Sequence, residues 1–289
     1  MQHAFTVDVE DYFQVSAFDN IVARRDWDQY PVRVVDSTRR LLDLLARHSV
    51  QGTFYILGWI AERYPSLVKE IDSAGHEIGS HSYWHRLIYE QEPGEFRSDL
   101  RRSIHVLEAI TGKPVTNYRA PSFSVTRSSQ WALEIMVEEG IRIDSSVFPV
   151  LHDRYGIPDA PATIHCRQTP AGPLWEFPPS VLNVGRWHLP VAGGGYFRLY
   201  PAWLFRNFAH RVERSGRPYM FYIHPWEVDP QQPRLTGISA TTRFRHYNNL
   251  RRTLGRLDAL LSRFSFTTVA RVVESMRASA EAPQTAAAV

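Results

Sequence analysis

Apolar residues recur along this chain in two rhythms, a period near two in short runs and a helical period in longer ones, and the two alternate. Ala4 to Val9 reads as a first strand, Gly52 to Leu57 as a second and His76 to Ser80 as a third. Between the first two, Leu41, Leu42, Leu44 and Leu45 form the apolar stripe of a helix over Ser37 to His48. Pro65 to Ala74 is a second helix, closed by Gly75. Phe96, Leu100, Ile104 and Leu107 mark a long helix ending at Gly112, before a strand that leads into Tyr118 and Arg119. Trp131, Leu133, Ile135 and Met136 mark another helix, stopped by Gly140. The pattern continues as a strand at Leu174 to Phe177, a helix from Pro201 to Arg214 and a strand at Tyr219 to Ile223. A helix near Asn248 to Arg263 and a strand at Phe264 to Thr268 close it. The stretch from about Asp144 to Pro173 and the run Gly193 to Gly195 read as loops, the latter as a flexible turn beside a cleft.

Strands that alternate with helices predict an α/β fold with mostly parallel strands. No internal repeat interrupts it, so residues 1–277 are read as one domain and 278–289 (ASAEAPQTAAAV) as a disordered tail. With 289 residues, 44% of them hydrophobic, a sizeable core is expected. The formal charge of +3 comes from 33 basic residues scattered among 30 acids, which argues against a nucleic-acid surface. The single cysteine, Cys166, excludes an intramolecular disulfide and a cysteine-based metal cluster. The start MQHAFTVDVEDYF has no basic segment followed by an apolar one, and nowhere do about 18 apolar residues run together. These features predict a cytoplasmic protein without a transmembrane segment.

The strongest local signal is GHEIGSHSYWH, where His81 and His85 stand four apart just after a predicted strand. That spacing lets two imidazoles reach one metal ion, although most histidine pairs at this spacing are ordinary core or surface residues. A third ligand is needed. Asp8, Glu10 and Asp11 fall at the end of the first strand, and in parallel sheets functional groups gather where strands end. Successive strand side chains point to opposite faces, so Glu10 shares a face with Asp8 while Asp11 points away if the strand continues. If the chain turns after Val9, Asp11 swings in instead.

Five short segments, taken in order, resemble the motifs of carbohydrate esterase family 4, the NodB-homology polysaccharide deacetylases. They are Thr6-Val7-Asp8 with Glu10 and Asp11, His81-Ser82-Tyr83-Trp84-His85, Arg119-Ala120-Pro121, Asp144-Ser145-Ser146-Val147-Phe148, and Ile223-His224. VDVEDYFQV, LWEFPPS, GGGYFRLYP and HPWEVDPQQPR further resemble a subgroup found beside exopolysaccharide and exosortase loci in Gram-negative bacteria. One departure stands out: the family's adjacent aspartate pair is replaced by Asp8-Val9-Glu10-Asp11.

The resemblance implies a deformed (β/α) barrel of about seven strands, with residues 191–277 a subgroup-specific completion. It implies removal of N-acetyl groups from N-acetylhexosamine units of an exopolysaccharide or its lipid-linked precursor. Allantoinase-like or cyclic-imide hydrolysis on the same fold is the alternative, and an inactive glycan-binding module a lesser one. A divalent metal, zinc first, is implied on His81, His85 and either Glu10 or Asp11. Asp8 is then the general base, held ionised by Arg119, and His224 the general acid, oriented by Asp144. The backbone N–H of Ser122 would help bind the oxyanion. Among the aromatics near these motifs, which include Trp84, Trp187, Tyr196 and Phe197, Trp226 and Tyr83 are the candidates to stack on sugar.

Overall fold

The computed structural model describes residues 1–281 apart from 153 and 186. Eleven short strands form along it: β1 His3–Val9, β2 Thr53–Ile56, β3 Glu77–Ser80, β4 Asn117–Tyr118, β5 Ile143–Asp144, β6 His165–Thr169, β7 Gly172–Glu176, β8 Val181–Val184, β9 Trp187–Pro190, β10 Met220–Ile223 and β11 Phe266–Thr267. Seven of them run parallel side by side in the order β10, β1, β2, β3, β4, β5, β7. The expected seven-stranded parallel arrangement is therefore present. Among the described residues no ladder joins β7 to β10. The gap is spanned by the Ser180 hydroxyl, which accepts from the Met220 N–H at 2.8 Å, and by a bridge from Gly193 to Tyr222. Gly193 must be glycine there: its φ is 144°, and a Cβ would lie 2.0 Å from the Tyr222 carbonyl oxygen. Gly193 and Gly194 are buried, so the glycine run is a packed seam and not the flexible turn expected from sequence.

Helices cover the strands because each carries one apolar face. In Val34–Arg47, Leu41, Leu44 and Leu45 are fully buried. Pro93–Thr111 starts with a reciprocal Glu92/Glu95 capping box and stops at Gly112, whose φ of 68° suits a residue without Cβ. Strand burial is nearly continuous in β1, β2 and β10, as expected when both faces of a parallel sheet are covered.

The stretch read as a loop after Asp144 contains β6, which pairs antiparallel with β7. Its sequence HCRQT lacks an apolar run, and it lies half-exposed at the sheet edge. The hairpin β8–β9 and the helix Ala240–Tyr247 are likewise additions to the sequence reading. The last helix, Val269–Glu281, runs into the first residues of the expected tail, and 282–289 lie outside the described residues. No described helix is long and apolar enough to cross a membrane.

Candidate metal centre and catalytic groups

β1 delivers Asp8 and, just past its end, Glu10 to the carboxyl ends of the strands, while the turn after β3 delivers His81 and His85. Ligand atoms of Glu10, His81 and His85 all lie within 4.8 Å of one another, and the three side chains are buried. The turn is held from outside by Arg24, which donates to the carbonyls of Trp84 (2.7 Å) and His85 (3.1 Å). Ser82 and His85 adopt left-handed φ values of 66° and 52°, which brings the His85 ring back toward β1.

Each ligand candidate is fixed at its far atom. His81 donates from Nδ1 to the Arg119 carbonyl at 2.8 Å, so Nε2 keeps a lone pair. Burial, against the nearby Asp8, lowers the His81 pKa to about 4, and the ring is neutral as a ligand must be. Ser16 Oγ stands 3.4 Å from Nδ1 of His85. Trp226 Nε1 donates to Glu10 Oε1 at 3.1 Å. Glu10 Oε2 is 2.7 Å from His85 Nε2, yet it is buried and makes no hydrogen bond of acceptable geometry. Two donor atoms that face one another without bonding fit a shared cation. Burial opposes the Glu10 charge, but His85, His224 and His81 outweigh it and hold the carboxyl well below its usual range.

Asp11 does not join this cluster. The chain does turn after Val9, but the turn carries Asp11 outward. Its Oδ2 accepts from the N–H groups of Arg33 (2.7 Å) and Val34 (2.9 Å) at the start of Val34–Arg47, and its Oδ1 from Tyr12 N–H. Asp11 is an anchor for a helix N-terminus, and the expectation that it might reach a metal is corrected.

Beside the cluster, Arg119 Nη1 donates to Asp8 Oδ1 at 2.6 Å and to Thr6 Oγ1 at 2.8 Å, with its guanidinium 4.3 Å over the Tyr55 ring. His224 Nε2 lies 3.9 Å from Asp8 Oδ2 and 3.6 Å from Glu10 Oε1. The carboxylate that orients His224 is Glu227: Nδ1 donates to its Oε1 at 2.7 Å. Burial lowers the His224 pKa, but Glu10, Glu227 and Asp8 together raise it to about 9. Glu227 in turn receives Arg198 Nε at 2.5 Å; burial opposes its charge, but Arg198 and His224 bring its pKa down to about 2.

The expectation that Asp144 orients His224 is therefore corrected. Asp144 Oδ1 accepts from Ser146 Oγ at 2.5 Å, and its carboxyl pairs with that of Glu176, its neighbour across β5 and β7. Ser146 Oγ accepts from the Ala120 N–H at 2.8 Å, so this pair props the turn that carries Arg119 and Ser122. Ser122 itself has a left-handed φ of 51°, and its hydroxyl meets Ser16 Oγ at 2.9 Å.

Two aromatic expectations also change. Tyr83 is 1% exposed, donates to Glu62 at 2.5 Å and lies under the Arg102 guanidinium. Trp226 is 5% exposed and stacked between His224 (ring centroids 5.2 Å) and His246 (4.1 Å). Neither offers a face to a sugar; Trp226 is a strut behind Glu10. Phe197 is buried too, whereas Trp187 is 55% exposed. The residues that sequence reasoning missed are Glu227, Arg198, Glu176 and Ser16. A signal for Glu227 existed: it is the third residue after His224, the N3 position of a capping box with His224 at the N-cap.

Comparison with known proteins bears on the whole arrangement. Residues 18–141 match the family model of polysaccharide deacetylases, and residues 145–274 match a domain of unknown function. A peptidoglycan-N-acetylglucosamine deacetylase of Bacillus cereus is 32% identical over 101 residues, 35% of this chain and 37% of that protein. A chitin deacetylase of a Pestalotiopsis species is 36% identical over 90 residues, 30% of each chain. This chain thus spans about a third of the length of these relatives. A crystal structure of a candidate polysaccharide deacetylase from Mycobacterium smegmatis superposes with a TM-score of 0.65 at 19% identity, over 99% of this chain and 93% of that one. At that identity the likeness speaks for the fold. By sequence, residues 18–141 are similar to polysaccharide deacetylases, and residues 145–274 to a family of unknown function.

Proposed function

We propose that this protein is a metal-dependent hydrolase that removes N-acetyl groups from N-acetylhexosamine units of a glycan. The observation that carries the reading is the convergence of Glu10, His81 and His85 beside two further supported groups, Asp8 on Arg119 and His224 on Glu227. An amide at neutral pH resists hydrolysis unless water is deprotonated, the oxyanion stabilised and the leaving amine protonated. A divalent ion on Glu10, His81 and His85, with zinc the best match to two imidazoles and a carboxylate, would supply Lewis-acid polarisation of the acetyl carbonyl.

The chain's own residues account for the proton movements. Asp8, paired through Oδ1 with Arg119 at 2.6 Å, accepts the proton of the attacking water at Oδ2, the oxygen that Arg119 leaves open. His224, protonated because Glu227 and Glu10 favour its charge, donates from Nε2 to the departing nitrogen. Burial keeps water from screening these groups and makes each more effective. The N–H of Ser122, on the turn braced by Ser16 and Ser146, would meet the oxyanion.

The relatives named above act on peptidoglycan N-acetylglucosamine and on chitin, which share an N-acetylated hexosamine. The likeness of VDVEDYFQV, LWEFPPS and HPWEVDPQQPR to the exopolysaccharide-associated subgroup narrows the proposed substrate to an exopolysaccharide or its lipid-linked precursor. The test is acetate release by purified, zinc-loaded protein from N-acetylglucosamine oligomers, set beside small cyclic imides. Acetate release that disappears with chelator supports the reading; turnover of cyclic imides alone overturns it.

A further inference from the structure

A cleft of about 560 Å³ lies against the outer side of the His85 turn and contains none of the groups assigned above to metal or proton transfer. One wall is Ser16, Asp19, Asn20 and Arg24, the segment that follows β1. That wall is shared with the candidate site, because Ser16 touches both His85 and Ser122, and Arg24 holds the carbonyls of Trp84 and His85. Tyr89 and Glu90 line the cleft beyond the same turn. The other side is supplied by Arg154 and by Ser239 and Thr242 at the start of Ala240–Tyr247. The cleft is therefore built jointly by the deacetylase-family segment and the segment of unknown function, and neither makes it alone.

We propose that this cleft is a saccharide subsite that binds a neutral stretch of the glycan next to the hexosamine being deacetylated. The inference rests on the deacetylase reading and adds where the rest of the chain lies. Its volume falls within the range of about 300–1,000 Å³ usual for ligand sites and leaves room for more than one pyranose ring. Its charges balance: Asp19 pairs with Arg24 at 3.2 Å, and Glu90 and Arg154 add one of each sign. Such a lining selects neither anion nor cation, in contrast to the single-sign clefts that gather charged ligands. The Thr242 hydroxyl, which accepts from Ser239 Oγ and keeps its own proton to donate, and the amide of the exposed Asn20 suit a polyhydroxylated ligand. Few apolar side chains face the cleft, so an acyl chain would gain little there.

The probe is the tetramer of N-acetylglucosamine, with the monomer as control, on wild type and on Asn20→Trp and Arg154→Ala. Asn20 is exposed, and a tryptophan there fills the cleft without entering the core. Loss of one hydrogen bond worth about 1 kcal/mol corresponds to about a fivefold effect. KM for the tetramer should rise by about that factor in Arg154→Ala and more in Asn20→Trp, while kcat and the kcat/KM for the monomer stay unchanged. Calorimetric titration with the tetramer should show the same weakening, and this readout stands whether or not acetate is released. Equal tetramer binding by wild type and Asn20→Trp, no binding by either, or a parallel loss on monomer and tetramer overturns the subsite. Acetate release failing while tetramer binding stays sensitive to Asn20→Trp would sink the deacetylase reading and leave the saccharide cleft standing.

Discussion

Glu176→Gln should stabilise this protein, and by more as the pH rises. Glu176 and Asp144 sit opposite one another on β7 and β5, both fully buried, with each carboxyl perturbing the other. Asp144 Oδ2 and Glu176 Oε2 are buried without a hydrogen bond of acceptable geometry, and one proton shared between the two carboxyls would satisfy both. Burial first, and then the Asp144 charge, raises the Glu176 pKa well above 4.5. A carboxyl whose folded pKa is raised favours folding while the unfolded chain is also protonated. That contribution is lost as pH climbs from the reference value of 4.5 toward the folded one. One proton held only by the folded state costs about 1.4 kcal/mol per pH unit across this window. Glutamine reproduces the protonated form: its carbonyl can accept from the Val147 N–H, as Oε1 does at 3.1 Å, and its amide can donate to Asp144. The advantage of the variant in urea unfolding free energy, measured at about pH 5.5, 6.5 and 7.5, should therefore widen by up to about 1.4 kcal/mol per unit. A difference that stays flat over that range would show that Glu176 is ionised in the folded protein and that the shared proton does not exist.

Three further outcomes follow from the candidate site. Glu10→Gln should lose bound zinc, whereas Asp11→Asn should keep it, as read by metal content; zinc lost in both variants would return Asp11 to the ligand set. Asp8→Asn should retain metal and lose about 10²–10⁴-fold in kcat, so near-normal turnover would remove it as base. Glu227→Gln should move the alkaline limb of the kcat profile to lower pH, because it removes a carboxylate that raises the His224 pKa by direct hydrogen bond and charge. An unmoved limb would leave Glu227 a purely structural partner of Arg198.

What was legible in the sequence divides by range of interaction. The parallel strands and their helices follow local periodicity, and His81, His85, Asp8 and Arg119 stand where the ordered motifs suggest. Strand phase points to Glu10 on the premise that the strand continues; the chain turns after Val9 instead, and Glu10 still lies with His81 and His85 because the turn carries Asp11 away to Arg33 and Val34. Periodicity fails where an element owes its form to its neighbours: β6 has no apolar run and exists because β7 offers an edge. It fails again for Tyr83 and Trp226, because closeness in sequence to a ligand does not say whether a ring turns toward the cleft or into the wall.

The reassignment of the His224 partner shows how the second half of the chain enters the chemistry. An aspartate at the end of β5 would have to reach across the strand ends, and Asp144 is already committed to Ser146 and Glu176. Glu227 needs no reach. It lies one turn beyond His224, accepts both its ring and its backbone N–H, and is backed by a buried arginine from Gly194–Leu199. Arg198 is locked in turn by the carbonyls of Arg245, His246 and Asn248. A buried ion pair contributes little net stability once desolvation is counted, so its value here is geometric: it fixes the carboxylate that fixes the imidazole. His246 closes the same assembly from behind, stacking on Trp226, whose indole N–H fixes Glu10. The general-acid candidate His224 and the ligand candidate Glu10 are thus both positioned by residues of 198–248, within the segment of unknown function. His81 and His85 take their supports from residues 16–119, so the second segment adds the acid and the fixing of Glu10 to a histidine pair that the first segment already holds.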